Sequence, residues 1–434
     1  LEVAAAEGRS FSFAVTPLPE DDHPNIVRLD LLGRAGRSLQ ILARSVGGGS
    51  VIVTRVAGWP VRLTGDAYDV LILVTNERVN QVRSSMEDAT ALLAPATAEP
   101  GQDQTLLHFR RRFPLPADLM RDLSTRPGVV NAWTAAPIFW IRAGRPLCNN
   151  SQEMVQLAIE RGSTLGEIAL AYESSLLDQP EQRILEETWH RYQVMKQSVA
   201  AGLANPEPGL RLLDPSAQQI LRAEAEGGMA IGGLHARAAA RAMAVMHHNS
   251  AGGIVCAAPT AGSAGALPAV LITLEQEKGL GRRELTLALL AAGAVGLVVA
   301  QRATFAAEVA GCQVEIGAAG AMAAAAVVEA AGGNATQAAD AAAIAFQNTM
   351  GSVCDLVQGM VEIPCHTRNA VAASSAFICA DLILGGYRNP IPLDETVDAV
   401  YAVGRMLPRE LRCTALGGLA LAPSALALQR RDER

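Results

Sequence analysis

Beyond about Asn150 the apolar residues recur at helical spacing, and the later helical stretches are built largely of alanine. AGAMAAAAVVEAAGG, ATQAADAAAIAFQNTM and AVAASSAFICADLILGG each carry the 3.6-residue pattern and end at or near glycine. Side chains this small let helix backbones approach closely. They predict a body of tightly packed helices with little large-side-chain filling. Composition agrees: half the residues are hydrophobic, yet only 4% are aromatic. MVQLAIERG, LGEIALAYESSLL and ILEETWHRYQVMKQSVAAGLA form an earlier helical layer, and the loop NPEPGLRLLDPS divides the two. The run from Leu285 to Ala300 is almost wholly apolar, but it is shorter than the roughly 20 residues of a spanning helix. Arg282, Arg283 and Arg302 bound it. It predicts a buried core helix, with no membrane partner.

Before residue 150 the period is closer to two. FSFAV, IVRLDLL, LQILARSV, SVIVTRV and VRLTG read as strands between residues 11 and 65, divided by charged and glycine-rich turns that include Gly47-Gly48-Gly49. Residues 1–66 are thus expected to form a small β domain, whole or in part. Residues 67–145 alternate differently: strand YDVLILV, helix VNQVRSSMEDATALLA, strand TLLHFRRRF, helix ADLMRDLS, strand VVNAWTA. This fits, loosely, the β-α-β-β-α-β order of a ferredoxin-like fold. The fold class is therefore α+β, with residues 150–434 as a large all-α domain. The first residue is Leu1 rather than Met, as in a fragment or a processed product.

The net charge is −7 and no long basic run occurs, which argues against nucleic acid as a partner. The seven cysteines are odd in number and widely spread. With no secretory leader, a disulfide framework is not expected. A reducing cytoplasm is, and there thiols are free to bind metal. Cys312 sits in Ala-Gly-Cys-Gln, Cys354 in Ser-Val-Cys-Asp, and Cys365 between Pro364 and His366. Glycine or proline marks a helix boundary near each, where free backbone N–H groups stabilise a thiolate. Three thiolates on a four-iron cluster would leave one iron open to a substrate oxygen. On the residues alone, three readings stand: small buried core residues, zinc on Cys354, Cys365 and His366, or an iron–sulfur cluster.

Two further segments carry polar groups among small residues. In Ala258–Gly265, Thr260 and Ser263 offer hydroxyls where backbone can approach a ligand, although a tight helix contact explains the segment equally well. In His366-Thr367-Arg368-Asn369, Arg368 suits a bidentate grip on a carboxylate and His366 a proton transfer. The plainer reading is a surface salt bridge and a solvated histidine. His247 and His248 are adjacent, point apart on a helix, and read as structural.

Together these segments resemble the bacterial iron–sulfur L-serine dehydratases (L-serine ammonia-lyases), of the type with α and β parts and an ACT-like domain. The resemblance lies in IVCAAPTAGSAGALPA, GCQVEIGAAGAMAAAAVVEAAGG, VCDLVQGMVEIPCHTRNAVAAS and LGGLA, and more weakly in YQVMKQSVAAGL and HPNIVRLDLLGRAG…SVGGG. It implies a [4Fe–4S] cluster on Cys312, Cys354 and Cys365. It also implies a substrate pocket with Thr260, Ser263, His366, Arg368 and Asn369. Cys148, Cys256, Cys379 and Cys413 match no ligand position. The family's Ser-Ser-His-Thr motif is not in this chain. Its Ser-Gly-Leu-Thr-Gly-Gly-Asp loop is represented only by the residues from Pro208 to Asp214, and Leu356 stands where the family has proline.

The implied reaction is β-elimination of water from a small hydroxy amino acid, giving a 2-keto acid and ammonia. The sequence does not identify the base. A pyridoxal-phosphate route needs a Schiff-base lysine. Only Lys196, in an amphipathic helix, and Lys278, in a charged turn, are present, and neither lies in a glycine-rich phosphate site. Two alternatives depart from serine: a cluster-dependent lyase or cyclase acting on another amino-acid-derived substrate in specialised metabolism, or an inactive regulatory homologue. The ACT-like region is expected to regulate or assemble the protein rather than to catalyse, and to pair two chains as a homodimer. Light scattering at micromolar concentration should give a dimer mass; a monomer would contradict the expectation.

Overall fold

The computed structural model describes the chain except residues 1, 17, 19–24, 34–35, 87–90, 205–208 and 432–434. A short helix, α1 (Glu2–Ala6), precedes four strands, β1 (Ile26–Leu32), β2 (Ser38–Gly47), β3 (Ser50–Val56) and β4 (Trp59–Leu63), in an antiparallel meander. The FSFAV segment is a correction to the sequence reading. It forms no strand, and Phe11, Phe13 and Val15 are exposed. An alternating run becomes a strand only when a sheet edge receives it and one face finds a core, and this run pairs with neither edge of the meander. His23, Pro24, Arg34 and Ala35, within the weaker family-like segment, lie outside the described residues.

A second sheet follows: β5 (Tyr68–Thr75), α2 (Val79–Met86), β6 (Thr97–Pro100), β7 (Gln104–Arg111), α3 (Ala117–Thr125) and β8 (Val129–Ala135). The strand order is β6-β7-β5-β8, with all neighbours antiparallel. The order of elements is thus β-α-β-β-α-β. Strand β6 carried no apolar alternation to reveal it. It is an edge strand, where Pro100 is tolerated. The helix expected over 79–94 runs from Val79 to Met86; residues 87–90 lie outside the described set, and residues 91–94 are a correction to the sequence reading, since they are not helical and Leu92 bridges to Arg111 on β7. The near-continuous apolar run of β5 follows from burial on both faces. Val70, Ile72 and Val74 pack with Val82, Met86 and Leu123 of the helices, while Leu71 and Leu73 pack with Val56 and Leu63 of the first sheet. The face that the helices leave is therefore covered by the first sheet.

The remainder is a helical body: α4 (Ser151–Arg161), α5 (Leu165–Leu177), α6 (Glu181–Ala204), α7 (Ala217–Ala225), α8 (Leu234–Ser250), α9 (Ala266–Lys278), α10 (Arg282–Arg302), α11 (Ala307–Ala310), α12 (Ile316–Ala330) and α13 (Ala335–Thr349). Then come β9 (Cys354–Asp355), α14 (Cys365–Leu384), α15 (Leu393–Met406), β10 (Arg412–Thr414) and α16 (Pro423–Leu426). Helix α12 lies at the centre. Every residue from 316 to 329 is buried, against α9, α10, α13 and α14. A helix enclosed on all sides is apolar nearly all round, the exception being Glu329 near its end, which Thr164 and the Gly166 N–H satisfy, and small side chains let four neighbours close on it. Helix α10 carries the apolar run as a core helix: it and the stretch Cys312–Ala330 are long and apolar enough to cross a membrane, and most of each is buried inside the body.

Two close approaches fix how these parts sit. The tip of the β2–β3 hairpin rests on the body. A Cβ at Gly47 would lie 2.7 Å from the Phe305 carbonyl carbon, and one at Gly48 would lie 3.1 Å from the Pro259 oxygen. The first sheet thus touches the chain leading into Thr260. Between α6 and α8, a Cβ at Gly202 would lie 1.8 Å from the Ala244 carbonyl oxygen. Gly to Ala in a helix normally gains about 1 kcal/mol of propensity, but this overlap is with backbone and cannot be relieved by a rotamer. Gly202→Ala is expected to cost about 1–3 kcal/mol net, read as a lower midpoint in thermal unfolding. An unchanged or raised midpoint would show that the helices are not this close.

Candidate metal centre

The thiol turns are held by side chains that reach between segments. Cys312 opens a short turn that feeds α12. The next residue, Gln313, donates from Nε2 to the Ala310 carbonyl (2.9 Å) and accepts from the Gly351 N–H (2.9 Å). Its backbone N–H bonds the Ser352 carbonyl at 3.3 Å. Gly-Cys-Gln is therefore tied to the turn that leads into Cys354. Cys354 lies in β9, which pairs in parallel with β10. The adjacent Asp355 accepts from Arg368 Nη2 at 3.0 Å and from the Leu419 N–H of the LGGLA tail at 2.7 Å. Cys365 is the first residue of α14. Three residues before it, the Glu362 carboxylate accepts the backbone N–H groups of Arg211, Leu212 and Leu213 at 2.8–3.0 Å. This pins the loop whose family counterpart is altered; Pro208 at its head lies outside the described residues.

These supports bring the three predicted thiols to one place, all buried. The sulfurs of Cys312 and Cys354 and a carboxylate oxygen of Glu315 lie within 4.8 Å of one another. The thiols of Cys312 and Cys413 are both near enough to Cys354 to act on its ionisation. Cys365 stands outside the tightest group but feels the charges of Cys312, Glu315 and Cys413. The Cys312 thiol is pulled below its ordinary value, first by the hydrogen bond with Cys354 and also by Arg368 and the Ile316 N–H. The Cys354 thiol is pushed up, first by Cys312, and the Cys365 thiol by burial. A bound cation would favour the thiolate form at each of them. A buried, sulfur-rich donor set of this kind suits zinc or an iron–sulfur cluster.

The other sequence candidates divide by what they touch. The Thr260 and Ser263 hydroxyls are buried and 3.0 Å apart, and Thr260 also bonds Glu315. Asn369 is fully buried and joins this segment to α14. It accepts from the Gly265 N–H and donates to the carbonyls of Gly262 and Cys365, each at 2.9 Å. Arg368 spends one terminal nitrogen on the Val353 carbonyl (2.9 Å) and the other on Asp355, so it braces the Cys354 strand. His366 is not solvated. Its ring is buried, 3.0 Å from the Ser250 hydroxyl and 5.2 Å between centroids from His247. Burial first, and His247 second, lower it to about 3. It therefore stays neutral near pH 7 and turns toward Ser250 and His247, which leaves the Cys354–Cys365–His366 zinc set unassembled.

Two members of the site escaped the sequence reading. Glu315 stands three residues after Cys312, where an acidic residue at a helix start reads as ordinary dipole complementarity. Burial raises it to about 7, against the hydrogen bond from Thr260. Cys413 lies 48 residues beyond Cys365 in a short strand, and only the pairing of β10 with β9 brings it in.

A model of the serine dehydratase alpha chain family matches residues 143–420, the span that contains every one of these groups. The chain belongs to this family. The match starts just before the helical body, and both small sheets lie outside it. Among its relatives is the probable L-serine dehydratase alpha chain of Bacillus subtilis, 37% identical over 282 residues, 65% of this chain and 94% of the relative. The L-serine dehydratase alpha chain of Peptoniphilus asaccharolyticus is 35% identical over 285 residues, 65% of this chain and 98% of the relative. L-serine dehydratase TdcG of Escherichia coli is 38% identical over 182 residues, 42% of this chain and 40% of the relative. Serine-for-cysteine replacement at 312, 354 or 365, one at a time, is expected to strip most bound metal while the helical circular-dichroism signal persists. Full metal content in all three variants would show that these thiols are not its ligands.

Proposed function

We propose that the thiol group holds a [4Fe–4S] cluster and that the chain eliminates water from L-serine or a similar β-hydroxy amino acid, giving a 2-keto acid and ammonia. The observation that carries this reading is the convergence of Cys312, Cys354 and Cys365 beside a buried threonine and carboxylate. The family supports it, since relatives that align over the whole body bear the name L-serine dehydratase. A four-iron cluster on three thiols supplies a Lewis-acidic iron that makes a hydroxyl a better leaving group.

The chain's own residues do the rest. Asn369 fixes the backbone of 260–265 against α14, and the Ser263 hydroxyl, 3.0 Å from that of Thr260, holds Thr260 in place beside Glu315. Thr260 hands its hydrogen bond to Glu315, the carboxylate beside Cys312 and Cys354. We assign Glu315 the proton from Cα, because a buried carboxylate near neutrality is suited to general-base work. Arg368 and Asp355 hold the Cys354 strand in register. We place the reaction in the cytoplasm, and we assign the second sheet, as an ACT-like unit, to regulation and to the pairing of two chains.

The test is an anaerobic panel of amino acids assayed for keto acid and ammonia with wild-type, Thr260→Val and Glu315→Gln proteins. L-Serine is expected to be turned over by the wild type. A lost hydrogen bond to a charged group is worth about 1.5–3 kcal/mol, so Thr260→Val should lower kcat/KM by about ten- to a hundredfold. Glu315→Gln should keep its iron and lose most turnover. Normal kcat/KM in both variants would place the pocket elsewhere. Turnover of another hydroxy compound in preference to serine would replace the substrate.

A further inference from the structure

We propose that strand β1 pairs with the same strand of a second copy of this chain, antiparallel and centred on Leu29, so that the first sheets of two chains become one continuous sheet. The inference deepens the pairing of two chains proposed above by naming the strand that makes the contact, and it does not depend on the iron–sulfur reading. Strand β1 is the outer strand of its sheet, and among the described residues no strand lies beyond it. Its register with β2 is unbroken from Ile26 to Leu32, with no bulge and no proline. The outer strands β4 and β6 carry Pro60 and Pro100, which blunt an edge against further pairing. Val27 to Leu32 are all exposed. Val27, Leu29 and Leu31 share one face and are each 44–50% exposed. They stand opposite Ala43, Ile41 and Leu39 of β2. Ile41 in turn stands opposite Val56, which is buried between the two sheets. The strip thus carries the inter-sheet core out past the edge of the sheet, and an apolar strip left in solvent marks a contact surface.

The strand Ile-Val-Arg-Leu-Asp-Leu-Leu fits itself when reversed. The Asn25 carbonyl accepts the Ser45 N–H at 2.9 Å, and the Gly33 N–H bonds the Arg37 carbonyl at 2.8 Å. Odd-numbered residues therefore turn their backbone groups toward β2, while Ile26, Arg28, Asp30 and Leu32 turn theirs outward. In an isologous contact each residue meets the one equally far from the two-fold axis in the other direction. An axis at Leu29 sets Arg28 against the partner's Asp30, and Asp30 against the partner's Arg28, as hydrogen-bonded pairs. Ile26 meets the partner's Leu32 on the same face. On the other face Val27 meets the partner's Leu31, and Leu29 meets the partner's Leu29. The neighbouring registers fail on charge. An axis at Arg28 sets arginine against arginine, and one at Asp30 sets aspartate against aspartate; like charges directly opposite are destabilising. Only the Leu29 register matches charge to opposite charge and apolar to apolar along the whole strand. Arg28 Nε already donates to Asp30 at 3.1 Å within one chain, so the contact joins two such pairs into a ladder. The axis is normal to the sheet, which brings the apolar strips of both copies together on one side.

The test follows the mass of the full chain, anaerobically reconstituted, by sedimentation across the micromolar range. Wild type should be a dimer. Arg28→Asp sets acid against acid at both charged pairs, and Asp30→Arg sets base against base. Each should raise the dimer dissociation constant at least about tenfold. Mixed in equal amounts, the two variants should form a heterodimer with close to wild-type affinity, because every opposed pair is then of opposite sign. That rescue requires the two positions to face each other across chains, and a role within one chain would not produce it. Metal content and the helical circular-dichroism signal should match wild type in both. Wild-type dissociation constants in both single variants overturn the inference and leave the pairing to the second sheet. Two folded variants that stay monomeric when mixed overturn it as well. A monomeric wild type overturns the pairing of two chains altogether. Should a charge reversal fail to fold, Leu29→Lys decides in its place: it sets two cations at the axis, and wild-type dimerisation in that variant overturns the inference. The iron–sulfur reading is judged by metal content and is untouched by any of these masses.

Discussion

The enclosure of α12 is the constraint on which the rest of the molecule depends. A helix packed against α9, α10, α13 and α14 has little room for long or polar side chains: residues 316–329 are all buried, and the carboxylate of Glu329, near its end, is satisfied by Thr164 and the Gly166 N–H. Alanine and glycine at most of these positions let the neighbours come close, and closeness places their ends. Cys312 leads into α12, Cys365 begins α14, and α13 runs out into the turn before Cys354. The thiols converge because the helices that carry them pack on a common axis. The energy for this is dispersion and burial spread over many small contacts, each worth little alone.

Packing positions the helix ends to within a few ångströms, and buried polar side chains complete the task. Gln313, Asp355 and Asn369 each bond two segments distant in sequence. Each is buried, so leaving one of its partners unpaired would cost about 1–3 kcal/mol. That is large against the few kcal/mol by which a misplaced loop could be tolerated. Electrostatics work in the same direction. Arg368 and the Ile316 N–H favour a thiolate at Cys312, while burial opposes one at Cys365. A cationic centre would favour the ionised form of every thiol in the group.

The helical body and the three cysteines were legible because each rests on a local signal: period, glycine stops, and thiols flanked by glycine or proline. What was missed depends on pairing at long range. The TAEP strand has no alternation, and only the edge of β7 makes it a strand. FSFAV has the alternation and finds no edge. Glu315 resembles any acidic residue at a helix start until Thr260 is seen to face it. Arg368 reads as a clamp for a carboxylate or as a surface salt bridge until Val353 and Asp355 take its nitrogens inside the body. His366 reads as solvated until Ser250 and His247 enclose it. Cys413 is brought toward the other thiols only by the short pairing of β10 with β9, two residue pairs long.

The central claim is that a buried sulfur site made by alanine-helix packing carries an iron–sulfur cluster. Its most direct test is the iron, acid-labile sulfide and zinc content of the anaerobically reconstituted chain. The account predicts about four irons and four sulfides per chain, with a brown absorbance that air bleaches. One zinc without sulfide, or no bound metal at all, would contradict it.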